Sequence, residues 1–291
     1  MKRHRIPVVF LIALLLSFSA CTKEVNVNLN PGVSQLCVSA FVNNKPGTQT
    51  IVLSNTESYF ANTPCPPATG ATVKVTDNKG NQYSFLDKNA NGNYQWTPAP
   101  GDTLIRVNYT YTLSISYSGQ NYQAVSMANP VPPIDSMNYQ LQKGRGGFGK
   151  TDSYYAAFFA TDIKGRSNYY WIKSYVNDSL INPTSLDLSV NGSTGFAVGE
   201  GLPFIYPVRE SINMDGGFRL NDTLNVELHS INPNTYFFFQ EVVTQTNNGG
   251  LFATPPANVS TNILNADPSS KSTAVGFFDT EMVSLSGIRI K

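Results

Sequence analysis

The side chains suited to chemistry are few and far apart. Apart from His4, the chain carries one histidine, His229, between Leu228 and Ser230. A histidine triad or a multi-histidine zinc site cannot be assembled from that residue together with Cys37 and Cys65. A glycosidase needs only two carboxylates across a cleft, for which Asp162, Asp215 and Glu227 are candidates. None of the three is set apart by its neighbours. Asp87, Asn89, Asn91 and Gly92 match the first half of a calcium loop, but the position that should supply a bidentate glutamate is Pro98, so the stretch reads as a turn. Gly144, Gly146 and Gly149 have the spacing of a dinucleotide-binding loop. The segment that follows has strand character, not helix character, so these glycines read as a hairpin turn. No catalytic residue, metal site or cofactor is therefore expected. Cys37 and Cys65 leave two readings open, a disulfide worth roughly 3–4 kcal/mol for a loop of that length or two independent thiols.

The N-terminus is more informative. Lys2, Arg3 and Arg5 precede an almost continuously apolar run from Val8 to Leu16, and Ser17, Phe18, Ser19 and Ala20 lead into Cys21. The run is shorter than the roughly 20 residues that span a bilayer, so residues 1–20 read as a cleaved secretory signal peptide. Small residues ending in cysteine resemble the lipobox of bacterial lipoproteins, which makes Cys21 the expected lipid attachment site. Residues 21–33, with Asn26, Asn28, Asn30, Pro31 and Gly32, lack an apolar face and read as a tether. The whole chain has a formal charge of +1, and loss of the leader leaves it near neutral. No basic patch points to nucleic acid.

The elements that would position any site are strands. Charged residues make up 13% of the chain and aromatics 12%, enough apolar material for a folded β protein rather than a disordered one. Alternating patterns at Leu36–Val42, Thr50–Leu53, Ala71–Thr76, Gln82–Leu86, Tyr94–Thr97, Tyr109–Tyr117 and Gln120–Val125 predict a β-sandwich over residues 34–131. Pro130-Val-Pro-Pro marks a boundary. A second β-sandwich or barrel-like domain is expected over 132–291. Its strands are Ile134–Gln142, a hairpin of Tyr154–Thr161 with Asn168–Val176, then Ser179–Val190, Arg219–Ser230, Ala274–Asp279 and Met282–Ile290. The aromatics of that hairpin, including Tyr154, Tyr155, Tyr169, Tyr170 and Trp171, read as core rather than as a sugar platform. One packed helix is expected, with Asn232 as N-cap, Pro233 at its first position and Gly249 and Gly250 as terminators.

Several stretches together carry a family resemblance. Cys21-Thr-Lys-Glu-Val, Leu36–Phe41, Gly70-Ala-Thr-Val-Lys-Val-Thr-Asp, Tyr111-Thr-Leu-Ser-Ile and Pro132-Pro-Ile-Asp-Ser resemble the Bacteroidota lipoproteins grouped as "domain of unknown function 4249". So do Asp162-Ile-Lys-Gly-Arg-Ser-Asn-Tyr-Tyr, Asn234-Thr-Tyr-Phe, Pro255-Pro-Ala-Asn-Val-Ser-Thr-Asn-Ile and Val275-Gly-Phe-Phe. The resemblance implies a first domain similar to immunoglobulin-like or transthyretin-like sandwiches and a lipid-anchored outer-membrane protein at the cell surface. It also implies a partner, since such proteins are often encoded beside TonB-dependent transporters. It brings no catalytic residues. Within the loop 255–263, Pro255, Pro256, Asn258 and Asn262 are taken as a shared structural loop with an interaction surface as the second reading. The expected function is a membrane-tethered binding or accessory protein for a glycan or peptide ligand. A carboxylate-dependent glycan hydrolase and a structural or adhesive surface protein are the alternatives.

Overall fold

A computed structural model describes residues 33–57, 63–144, 152–183, 185–195, 199–248 and 257–291. Residues 1–32, where the signal peptide, Cys21 and most of the tether are expected, lie outside them, as do Gly146, Gly149, Gly249, Gly250, Pro255 and Pro256. The protein is mainly β, and Ser34–Lys291 form one compact unit.

Seven strands follow the alternation read from the sequence: β1 (Leu36–Asn43), β2 (Gln49–Asn55), β3 (Thr72–Asp77), β4 (Gln82–Phe85), β5 (Asn93–Trp96), β6 (Thr110–Tyr117) and β7 (Gln120–Met127). In β1 and β7 every second side chain is buried, as expected for strands with one face against a core. The next strands are β8 (Ile134–Gln142), β9 (Ser153–Ala160), β10 (Tyr169–Val176), β11 (Ser179–Leu180) and β12 (Asp187–Val190). A short helix α1 (Tyr206–Arg209), β13 (Thr223–Ile231), the main helix α2 (Pro233–Thr246), β14 (Leu264–Asn265) and the long β15 (Ala274–Arg289) complete the order.

A curled half-barrel sheet runs in the order β11-β10-β13-β15-β1-β2-β5, with β12 also on β10. A second sheet, β14-β7-β6-β3-β4, covers its β1 end, and the β8–β9 hairpin covers the other. One core, including Val38, Leu53, Tyr94, Tyr111 and Phe278, fills the first sandwich. Another, including Phe158, Tyr170, Leu228 and Phe218, lies beneath β8–β9. The first core is not confined to residues before the expected boundary at 131/132, since it draws on Ile263, Ala274 and Phe278. β15 serves both, because Ala274–Glu281 pair parallel with β1 while Met282–Arg289 pair antiparallel with β13.

Four sequence expectations are corrected. Tyr154–Thr161 and Asn168–Val176 do not pair with each other: β9 pairs with β8 and β10 with β13. Their aromatics do share a core, since Phe158 and Tyr170 both pack on Phe204, at centroid distances of 5.8 and 5.2 Å. Strands whose bulky side chains meet in this way face one another across layers. The strand expected over Ser179–Val190 is split between β11 and β12 by a turn in which Asn182 takes a positive φ of 48° before Pro183. The two closing strands are one. Helix α1, which starts with Pro207 at its N-terminal positions, was not expected.

β15 approaches β1 very closely at Gly276. Its φ is +96°, and a Cβ there would lie 1.9 Å from the carbonyl oxygen of Val38. Any side chain must either push the parallel pair apart or leave the left-handed region. Gly276→Ala is expected to cost at least about 2 kcal/mol, read as a lower midpoint in urea or thermal unfolding. A wild-type midpoint would refute the close approach.

Candidate functional site

Residues paired across a sheet share a face, so the register locates the site directly. Trp171, Lys173 and Tyr175 of β10 stand opposite His229, Glu227 and Asn225 of β13. His229, Glu227 and Asn225 in turn stand opposite Val283, Leu285 and Gly287 of β15. Along this face lie three zones: an aromatic patch, a layer of charge and an open cleft.

The aromatic zone is covered by α2. Phe239 packs on Phe41 at 5.2 Å and on Trp171 at 4.8 Å, and Phe238 stacks on Phe277 at 4.7 Å. Helix α2 starts where the sequence places it, after Asn232. The Asn232 side chain does not cap the helix, however. It donates to Asp279, Ser126 and the Met127 carbonyl oxygen, and it accepts from Asn129.

The charged layer is built around the His229 ring, which is fully buried. Nδ1 lies 2.6 Å from Glu281 Oε2 and Nε2 lies 2.9 Å from Glu227 Oε2. The ring is thus held between two carboxylates. Lys45 Nζ completes the chain at 2.6 Å from Glu227 Oε1. Lys45 is carried by the β1–β2 turn, which is fixed by Asn43 accepting from the Lys45 backbone N–H and by Asn44 accepting from the Val283 N–H. Lys173 Nζ sits 3.5 Å from the centre of the Trp171 ring, a cation–π contact. Burial lowers the Lys173 pKa, and the Glu281 and Glu227 charges oppose that shift.

Beyond the charges the face opens into a cleft of about 600 Å³, lined by Lys45, Tyr175, Asp178, Asn225, Glu227, Leu285 and Gly287 among others. This is within the roughly 300–1,000 Å³ range of small-ligand sites. Asp178 reaches the rim from a turn in which Asn177 and Asp178 both have positive φ, of 49° and 65°. Asn177 fastens that turn to β13 by accepting from the Thr223 N–H and donating to Asp222.

A family model described as "Domain of unknown function (DUF4249)" matches residues 22–283. The chain belongs to that family. No curated protein matches it. The DUF4249 match takes in the aromatic zone and the charged layer but stops short of Leu285 and Gly287 in the cleft, and it begins at the residue after Cys21.

Several other residues singled out in the sequence have structural partners. Asp162 and Asn168, from the DUF4249-like stretch at 162–170, are buried. Asp162 accepts from the Tyr170 hydroxyl at 2.6 Å, from Asn168 and from the Gly201 N–H, locking the β9–β10 connection. Asp87 accepts from the backbone N–H groups of Asn91 and Gly92, as an asparagine-rich turn would have it. Gly144 donates to Asp152. Asn262 clasps β15 by donating to and accepting from the Phe278 backbone, so it is held by the fold, while Asn258 is exposed. Cys37 and Cys65 are free thiols, and burial raises the Cys37 pKa.

Sequence reading placed His229 on a strand and found nothing special about Glu227. Glu-Leu-His on a strand does put both side chains on one face, which was the available signal. Glu281, 52 residues from His229, gave none.

Burial pushes the Glu227 pKa up, but the hydrogen bonds from His229 and Lys45 prevail and hold it at about 2. The folded value lies below the ordinary 4.5, so its stabilisation is complete above pH 4.5 and is lost as pH falls through about 2. Asp279 has the opposite sign. Burial and the Glu281 charge lift it from 3.8 to about 6, so its contribution weakens as pH rises through that interval. Glu227→Gln is therefore expected to flatten the acid limb of a midpoint-against-pH curve below pH 4.5 and to leave the limb assigned to Asp279 in place. Parallel wild-type and variant acid limbs would refute the assignment.

Proposed function

We propose that this protein is a lipid-anchored cell-envelope binding or accessory protein. In this reading it works at the outer-membrane surface beside a TonB-dependent transporter and captures a nutrient ligand. The observation that carries the reading is the basic, apolar and small-residue run ending at Cys21, followed by a polar stretch before the compact unit begins at Ser34.

The mechanism is tethered capture. A lipid on Cys21 confines the chain to the membrane, and a flexible tether raises its effective concentration beside a partner in the same leaflet. The open cleft on the large sheet is the capture surface. A modest intrinsic affinity is then enough for transfer to the transporter.

The hydrolase reading has one point in its favour, since Glu227 and Asp178 both line the cleft. Glu227, held at about 2 by His229 and Lys45, can only be the ionised member of such a pair, and as nucleophile or base it would first have to give up those two partners. That engagement is what favours binding over hydrolysis.

Two measurements test the proposal. Cys21→Ala is expected to move the protein from the membrane fraction to the soluble fraction; retention in the membrane would remove the lipid anchor. Tagged protein solubilised in mild detergent at native expression is expected to bring down a transporter identifiable by mass spectrometry. Recovery of the chain alone would remove the accessory role.

A further inference from the structure

The charge of the cleft constrains what can occupy it. Lys45 is already paired with Glu227, so the pair offers hydrogen-bonding groups of both signs with no net charge. An anionic ligand would meet Asp178 and Glu227, and of the three charges only Asp178, exposed at the rim, has no opposite partner among the described residues. Between these groups lies apolar surface, the half-buried Tyr175 and Leu285, which is 57% exposed. Gly287 leaves that strip without a side chain, and the side-chain amide oxygen Oδ1 of Asn225 lies over it, 2.4 Å from where a Cβ would stand. Asp178 and Asn225 have no side-chain hydrogen bond among the described residues, so an acceptor and an amide are free for a ligand. The backbone offers no docking edge, because β13, which forms the floor, is paired on both sides by β10 and β15. A peptide therefore cannot add as a strand there.

From this geometry we infer that the cleft is a site for a neutral, polyhydroxylated ligand, a segment of an uncharged glycan. A sugar ring presents a C–H face to Tyr175 and Leu285 and a rim of hydroxyls that can donate and accept at once. Asp178 takes hydroxyl protons, Lys45 donates, and the Asn225 amide does both. The Lys45–Glu227 pair keeps the rim in position without drawing charged solutes. The inference rests on reading the protein as an envelope binding protein and names the ligand class of its cleft.

The test uses full-length protein extracted in detergent. Calorimetric titrations with maltotetraose, cellotetraose and mannotetraose are compared with titrations of a sulfated heparin tetrasaccharide and a trilysine peptide. At least one neutral oligosaccharide is expected to bind saturably and more tightly than either charged probe. Asn225→Ala is expected to weaken that binding by about tenfold, the effect of one lost ligand hydrogen bond. Gly287→Val is expected to abolish it by filling the strip. Both variants should fold, since Asn225 is only partly buried and the group facing the new Cβ is the end of a side chain that can turn aside; a circular dichroism spectrum checks each one. No neutral binding, tighter binding of a charged probe, or equal affinity in both variants would overturn the proposal. The outcome is independent of anchoring. Lost glycan binding with wild-type protein still in the membrane fraction removes only the ligand class, and glycan binding by a protein that fractionates as soluble removes only the anchor.

Discussion

Three consecutive polar side chains, Asp279, Thr280 and Glu281, are almost wholly buried in the middle of β15, where that strand leaves β1 and takes up β13. Burying charge in this way costs several kcal/mol per group unless hydrogen bonds and opposite charge compensate. Each of the three is compensated from a different part of the chain. Asp279 accepts from Ser126 of β7, from the Thr280 N–H and from Asn232 at the start of α2. Thr280 shares a hydrogen bond with Ser126, and Glu281 takes His229 of β13. The second sheet, the helix and the half-barrel are therefore tied to one another through a single turn's length of strand. This is why Ser34–Lys291 behave as one unit despite their separate cores.

The same constraint divides the exposed face of the half-barrel into zones. Glu281 must be met by His229, which turns Glu227 toward Lys45, and these charges close off the aromatic patch beneath α2 from the cleft. Compensation within the layer is incomplete, because Glu281 Oε1 is buried without a hydrogen-bond partner among the described residues. The nearby Lys173 ammonium, held on the Trp171 face, offsets part of that charge through space. A layer of this kind resists repacking, since removing one member strands the charge of another. The cleft therefore sits against this charged layer, with Glu227 and Lys45 common to both.

The strands were largely legible because period-2 alternation follows directly from one-sided burial, and β1, β3, β6 and β7 show it without interruption. The errors came from the same rule applied where burial is not one-sided. In Phe277-Phe-Asp-Thr-Glu-Met-Val a polar triplet interrupts an apolar run, which reads as a turn between two strands. In the folded chain the triplet is the most buried part of a single strand, with each polar group matched by a distant partner. Likewise Tyr154–Thr161 and Asn168–Val176 look like two arms of a hairpin because both are aromatic and a turn separates them. Local pattern cannot say whether two aromatic strands lie side by side or face to face, a distinction that Phe204 decides from 34 residues beyond Tyr170. The cleft was not legible for the same reason: Lys45, Asp178, Glu227 and Gly287 come from four separate segments joined only by the register.

That distribution bears on how the molecule can work. The most prominent carboxylate in the cleft is committed to a lysine and a histidine. Pairing Glu227 with Lys45 offsets the charge of both and leaves Asp178 as the uncompensated charge of the cleft, while the paired groups keep further hydrogen-bonding capacity at the rim. Lys45 is itself held by the turn that Asn44 fastens to β15. The strand that joins the two cores thus also sets the polar rim of the cleft, so the position of Lys45 depends on the same strand as the fold.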